Sequence, residues 1–172
     1  QVKFDVSLSD RIVDIVEEGF DLAIRIGGTG AQNLVARKLG EARLVACASP
    51  DYIARHGAPA APEDLVRHNC LTYEYALRDA WTFRDAAGRE RTVRVAGSLN
   101  SNNGDLNAAA AVQGVGIALE PEFIVGWELK REKLVPVLES FEAPASPIYA
   151  VYPSRRFLPA KVRAFVDFLV ER

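Results

Sequence analysis

The chain has 172 residues, 49% hydrophobic and 26% charged, with 12 Gly, 9 Pro and 2 Cys, proportions that exclude a disordered chain, a collagen-like repeat and a disulfide scaffold. Lys and Arg number 21 against 23 Asp and Glu, a net charge of −2, and the isoelectric point near 5.8 speaks against a chain that grips DNA or RNA by itself. No apolar run approaches the ~18 residues that a bilayer span needs. No signal peptide opens the chain, and Cys47 and Cys70 do not suggest an oxidising compartment, so a cytoplasmic location is expected. The chain holds no Met and starts inside a strand-like pattern at Gln1-Val2-Lys3-Phe4. A piece of a longer protein is therefore expected.

In chain order, Val2, Phe4, Val6 and Leu8 alternate with polar residues at the period of a strand. Ser9 stands where a helix N-cap would stand, Ile12, Ile15 and Val16 recur at helical spacing, and Gly19 closes the helix. Phe20 to Ile26 reads as a buried strand, completing a strand–helix–strand unit of the kind that favours parallel sheets. Leu34–Leu39 and Arg43–Ala48 read as strands broken at Gly40. Ser49-Pro50 starts a helix that Gly57 ends. A helix over Pro62–His68 and a strand over Leu71–Tyr75 follow. Trp81–Arg84 and Arg91–Val95 flank a hairpin turn at Asp85–Gly88. Ser98–Asn100 ends a strand, and Asn102 or Asn103 caps a helix through the Ala108–Ala111 run. Ile117–Leu119 is a buried strand, Pro121 starts a helix, and Leu134–Leu138 and Ile148–Tyr152 are strands. A last helix begins near Pro159, with Val162, Phe165, Val166 and Leu169 on one face. Strands alternating with helices define the α/β class.

Few residues offer chemistry. His56 and His68 sit at predicted helix ends, where such residues are favoured anyway, and their spacing matches no metal motif; no metal or cofactor is expected. Cys47 and Cys70 lack the neighbours of a nucleophile and read as small buried hydrophobes, a redox pair being the minor alternative. Gly27-Gly28-Thr29-Gly30 lacks the ending of a P-loop. It is either a mobile loop or a ligand loop at a strand's carboxyl end. Two polar helix starts stand out: Ser7, Ser9 and Asp10, and Asn100, Ser101, Asn102 and Asn103. Helix N-termini suit a carboxylate or phosphate ligand. One cap needs only one of the four residues at 100–103, so that run is read as ligand-binding. Asp10 would repel an anion and is expected to pair with Arg11 or another cation. The runs Lys130–Lys133 and Ser154-Arg155-Arg156 are read as solvated surface.

Several stretches together resemble the effector-binding domain of LysR-type transcriptional regulators. They are Leu8-Ser-Asp-Arg-Ile-Val-Asp-Ile-Val-Glu-Glu-Gly-Phe-Asp-Leu-Ala-Ile-Arg-Ile-Gly27, Leu34-Val-Ala-Arg-Lys-Leu39, Cys47-Ala-Ser-Pro-Asp-Tyr52, Asn102-Asn-Gly-Asp105, Gly114-Val-Gly-Ile-Ala118 and Val151-Tyr-Pro-Ser-Arg-Arg156. They keep the family's order. The residues after Gly27 depart from its usual leucine- and serine-containing version. The resemblance implies two Rossmann-like lobes joined by two crossover strands, like the type 2 periplasmic binding proteins. Lobe I would comprise residues 1–43 and 148–172 and lobe II residues 44–147, with crossover strands near Arg43–Ala48 and Ile148–Tyr152. It also implies a small, anionic effector bound between the lobes. The candidate contacts are Ser7, Ser9, Asp10, Gly27, Thr29, Asn100, Ser101, Asn102 and Asn103. DNA would be read only by an N-terminal winged helix-turn-helix that nothing in this chain matches. The family's first strand and helix of this domain are unmatched as well. The full protein is expected as a homodimer or tetramer, without membrane contact. Two competing readings are an extracytoplasmic solute-binding protein of the same fold and an enzyme on the same scaffold; the latter lacks a converging catalytic set.

Overall fold

The computed structural model describes residues 3–28, 34–75, 79–153 and 158–171. In chain order the elements are β1 (Ala23–Ile26), β2 (Leu34–Ala42), β3 (Leu44–Ala48), α1 (Pro50–His56), a 3₁₀ helix (Pro62–Arg67), β4 (Cys70–Tyr73), β5 (Ala80–Arg84), β6 (Glu90–Arg94), β7 (Asn100–Ser101), α2 (Gly104–Val112), β8 (Ile117–Pro121), α3 (Glu122–Lys130), β9 (Val135–Pro136), β10 (Ser146–Pro153) and α4 (Ala160–Val170). They form two compact units, one of Gln1–Ala42 with Ser146–Arg172, the other of Arg43–Ala145.

The Arg43–Ala145 unit is built on a five-stranded sheet in the order β7-β4-β8-β3-β9. β4 runs parallel to β7 and β8, and β3 antiparallel to β8 and β9. Successive side chains point to opposite faces of a sheet. Leu44, Ala46, Cys70, Ile117 and Leu119 therefore share one core with Trp81 and Phe83 of the β5–β6 hairpin. Cys47, Leu71 and Ala118 share the other with Ala108 and Ala111 of α2 and Val125 of α3. Trp81 and Phe83 are 1% exposed, and burying a side chain such as Phe stabilises by about 1.5–3 kcal/mol. The register also separates the thiols. Ala118 is paired with Cys47 on one side and with Leu71 on the other, so Cys70 points to the opposite face from Cys47, with β8 between. A Cys47–Cys70 pair is excluded by this geometry.

Local signals set the helices here. Ser49 Oγ accepts the Tyr52 amide at 3.2 Å, Pro50 takes the first helical position, and Gly57 closes α1 at φ +79°. The segment expected as a helix from Pro62 is one, wound as 3₁₀ with the Asp64 carboxyl accepting the amides of Ala60 and Ala61 at 2.9 and 3.0 Å. In the hairpin turn, Asp85 Oδ1 accepts from Ala87 and Arg89. Asn103 is the cap of α2.

The other unit carries a three-stranded antiparallel sheet in the order β1-β10-β2. α4 lays Val162 and Val166 against Ala150, with Leu22, Leu39 and Tyr152 around them. Four expectations are corrected here. Residues 3–9 form no strand: Val6 and Leu8 are 77% and 93% exposed, because an alternating segment becomes a strand only where an edge and a packing layer receive it. Residues 9–19 form no helix. They make a single turn at 15–19, started by Asp14, whose Oδ1 accepts the amides of Val16 and Glu17 at 2.9 and 3.0 Å. Only Ile15 of its apolar residues is buried; Ile12 and Val16 are exposed, so no packed face supports a longer helix. β1 pairs antiparallel with β10, not parallel within a strand–helix–strand unit. Gly40 does not break β2. The strand runs through it, and Leu39 is the extra residue of a bulge where the register shifts between Ile148 and Tyr149.

Candidate functional site

The polar run at 100–103 lies at the carboxyl ends of two parallel strands. Thr72 of β4 pairs with Asn100 of β7, and Tyr73 with Ser101. α2 starts directly afterwards. Three residues of the run have tasks of their own. Asn100 Oδ1 accepts from Thr72 Oγ1 at 3.0 Å. Ser101 is buried, and its Oγ accepts the Asn103 amide at 2.9 Å. Asn103 Oδ1 accepts the Leu106 amide at 2.8 Å, as the N-cap. Asn102 is exposed. With Leu106 served by the cap, the amides of Gly104 and Asp105 are left without an acceptor inside the helix, as at every helix start. They bring partial positive charge to a place rimmed by short amide and hydroxyl groups.

Beneath this helix start lies a polar group that the sequence reading did not name. Glu120, at the end of β8, is 3% exposed, and Asn107 is fully buried. Asn107 Nδ2 donates to Glu120 Oε1 at 2.9 Å and to the Thr72 carbonyl at 3.3 Å. Asn107 Oδ1 has no hydrogen-bond partner among the described residues. A Cβ on Gly104 would stand 2.8 Å from Glu120 Oε2 and 2.7 Å from Ile124 Cδ1. A side chain at position 104 would oblige the ends of Glu120 and Ile124 to move aside. The signal was present in the sequence: Asn107 falls on the inward stripe with Ala108 and Ala111, and Glu120 ends an apolar strand on the face shared with α2.

The candidates in the other unit are placed differently. Ser7, Ser9 and Asp10 are exposed and start no helix. Ser9 Oγ accepts the Arg11 amide at 3.2 Å in a short turn, and the Arg11 guanidinium pairs with Glu18 at 2.9 Å. The helix-terminus argument for this trio therefore fails, since a single exposed turn offers no row of free amides. Gly27 adopts φ +87° and donates its amide to the Pro147 carbonyl at 2.8 Å. Thr29 lies outside the described residues, as do Ser154, Arg155 and Arg156.

His56 and His68 meet at one residue. The His56 ring stacks on Tyr52 with centroids 4.5 Å apart, and Tyr52 Oη lies 3.2 Å from His68 Nδ1 and accepts the Asn69 amide at 3.0 Å. Burial, then the neighbouring His56, holds the His68 imidazole below its ordinary value. Burial pushes the Cys47 thiol up to about 12, helped by the Glu120 carboxylate, and the Cys70 thiol likewise to about 12. Neither is a nucleophile at neutral pH. A cavity of about 670 Å³ opens elsewhere in the Arg43–Ala145 unit, walled by Leu44, Ala46, Phe83, Val137, Leu138 and Phe141 among others. None of the candidate residues lines it, and the buried polar group lies at α2 instead.

The α/β architecture is that of the type 2 periplasmic-binding-protein-like class, which the solved regulatory domains it resembles share. The chain matches the LysR substrate binding domain over residues 1–172 and belongs to that family. It is 42% identical over 173 residues to the HTH-type transcriptional regulator DmlR of Escherichia coli K12, covering 98% of this chain and 54% of that protein. It is 36% identical over 172 residues to the HTH-type transcriptional regulator PtxR of Pseudomonas aeruginosa, covering 99% and 55%. Among solved structures it resembles the CrgA regulatory domain of Neisseria meningitidis at a TM-score of 0.76 and 32% identity, covering 91% of this chain and 76% of that one. The full-length Vibrio cholerae virulence activator AphB gives 0.79 and 28%, covering 97% and 57%. The chain spans about half the length of the full-length relatives it matches. These relatives are transcriptional regulators, which favours that reading over a solute-binding protein of a transport system. No helix of the described residues is long and apolar enough to cross a membrane.

Proposed function

We propose that the chain is the effector-binding part of a cytoplasmic LysR-type regulator and binds a small anionic metabolite without turning it over. The observation that carries this reading is the start of α2, where Asn103 alone does the capping and leaves two helix amides and Asn102 for a carboxylate or similar anion. Ser7, Ser9, Asp10, Gly27 and Thr29 are proposed as further contacts on the strength of the family resemblance. A ligand can shift a conformational equilibrium only by its differential affinity for the two states. In the whole protein the shift would alter dimer or tetramer geometry, and with it the spacing of winged helix-turn-helix modules carried by another segment. Calorimetry with a panel of small mono- and dicarboxylates tests the site. A hit is expected to weaken at least about tenfold in the Ser9→Ala/Asn102→Ala variant, the loss of one or two charge-assisted hydrogen bonds. Undiminished affinity in that variant would show that the site has been misplaced.

A further inference from the structure

The cavity in the Arg43–Ala145 unit has a volume of about 670 Å³, within the range of small-molecule sites. Its floor is apolar: Leu44, Ala46, Phe83, Val137 and Leu138 are buried and Phe141 half-buried. One wall is the segment after β9, and three points fix it. β9 pairs with β3 at Cys47 and Ala48, and Val137 then donates its amide to the Ala46 carbonyl at 2.8 Å. Leu138 turns the chain away at φ +58°, and its carbonyl accepts the Phe141 amide at 2.8 Å. Glu142 next exchanges backbone hydrogen bonds of 2.8 and 2.7 Å with Arg84, at the end of β5. A buried leucine in the left-handed region is strained, and such strain persists where the surroundings impose it, notably beside ligand sites. The bend at Leu138 keeps the segment from closing on β3, so the cavity is formed before any ligand arrives.

The rim is charged, and its unmatched charge is negative. Arg84 pairs with Glu90 and Asp85 with Arg89, each at 2.8 Å. Arg43, Glu122, Glu139 and Glu142 are exposed at the rim. Among the described residues none of these four takes part in an ion pair. Three carboxylates therefore stand there against one guanidinium. We propose that this cavity is a second ligand site, separate from the anion site at α2, and that it takes a small amphipathic amine. The aromatic or aliphatic body lies on the apolar floor, where Phe83 and Phe141 offer ring surface, and the ammonium group lies at the acidic rim. An anion would bring like charge to the three carboxylates, and a neutral apolar molecule would gain nothing from them. The ligand is thus opposite in charge to the one proposed for α2, and one compound does not serve both sites. The assignment goes beyond the proposed function and does not depend on it.

Tryptamine and its neutral isostere tryptophol are suitable probes, since they differ in the ammonium group alone. Calorimetry at low salt is expected to show saturable binding of tryptamine and at least about tenfold weaker binding of tryptophol, the loss of a charge-assisted hydrogen bond. Glu122→Gln/Glu139→Gln/Glu142→Gln keeps the size of three exposed side chains and removes their charge. It is expected to weaken tryptamine at least about tenfold and to leave tryptophol unchanged. In magnetic resonance spectra of the isotope-labelled chain, tryptamine is expected to shift the amides of Leu44, Ala46 and Leu138 and not those of Gly104 and Asp105. Asn102→Ala, at the start of α2, is expected to leave tryptamine binding as it was, so the failure of either site is told apart from that of the other. No saturable binding of tryptamine, tryptophol bound as tightly as the amine, undiminished tryptamine affinity in the triple variant, or shifts confined to the start of α2 would each overturn the proposal.

Discussion

Asn107→Ala tests the polar group under α2 directly. Asn107 Nδ2 donates to Glu120 Oε1 at 2.9 Å and to the Thr72 carbonyl at 3.3 Å, and no part of the side chain reaches solvent. Alanine removes both donors and leaves a buried carboxyl group and a main-chain carbonyl facing emptied space. A hydrogen bond to a charged acceptor contributes about 1.5–3 kcal/mol and one to a neutral carbonyl about 1 kcal/mol; the residual cavity adds a further share. The expected loss is about 4 kcal/mol, a large part of the ~5–15 kcal/mol that holds an ordinary domain folded. Both tryptophans, Trp81 and Trp127, belong to the Arg43–Ala145 unit. A urea titration followed by tryptophan emission therefore reads that unit alone, and circular dichroism reads both. Combining Asn107→Ala with Glu120→Ala closes a double-mutant cycle, with an expected coupling of about 1.5–3 kcal/mol. A single-variant loss below ~1 kcal/mol, or coupling within ~0.5 kcal/mol of zero, would refute the hydrogen-bonded arrangement.

Three other outcomes are expected. Because the imidazole of His68 is held below its ordinary 6.5 by burial and by His56, the unfolded chain takes up that proton first. Stability from this source is therefore complete above about pH 6.5 and falls as pH drops through that value toward the folded-state one. His68→Gln, compared with the parent in urea titrations between pH 7.5 and 5, is expected to flatten that slope, and an unchanged slope would contradict it. Cys47 and Cys70, both buried with thiols raised to about 12, are expected to resist Ellman's reagent at pH 8 until the chain unfolds; a fast-reacting thiol in the folded chain would disprove this. Gly116→Ala places a Cβ 2.2 Å from the Asn69 carbonyl oxygen. It is expected to cost about 3 kcal/mol or more, since the obstacle is backbone and not a side chain that can swing away; a melt like the parent's would argue against that close approach.

How far the sequence could be read depended on whether its signals were local. Ser49-Pro50 and Gly57 contain all that α1 needs, and Asn103 ahead of an alanine run all that α2 needs. The hairpin is equally self-contained, because Asp85 organises its own turn. Residues 3–19 carry patterns of the same apparent quality, yet they form neither strand nor helix, because no described element supplies an edge for Val6 and Leu8 or a packing layer for Ile12 and Val16. Gly40 misled for the opposite reason: a long pairing with β10 absorbs it beside a bulge. At the site, Asn100–Asn103 were visible as an excess of cap-forming residues. Glu120 and Asn107 each stand out as a single polar residue in an apolar or alanine-rich run, but that they pair with each other follows only from the packing of α2 on β8.

The strand order β1-β10-β2 has a consequence for how the chain comes to be folded. The middle strand of that sheet is the last to be made, separated from β2 by the whole of Arg43–Ala145. Without it, β1 and β2 have no common partner, and closing so long a loop delays the contact that joins them. The uninterrupted segment Arg43–Ala145 can assemble while the ribosome is still working, whereas the sheet of β1, β10 and β2 must wait for its middle strand to be made. A nascent chain stopped before Ser146 thus holds one finished half and two strands awaiting the third.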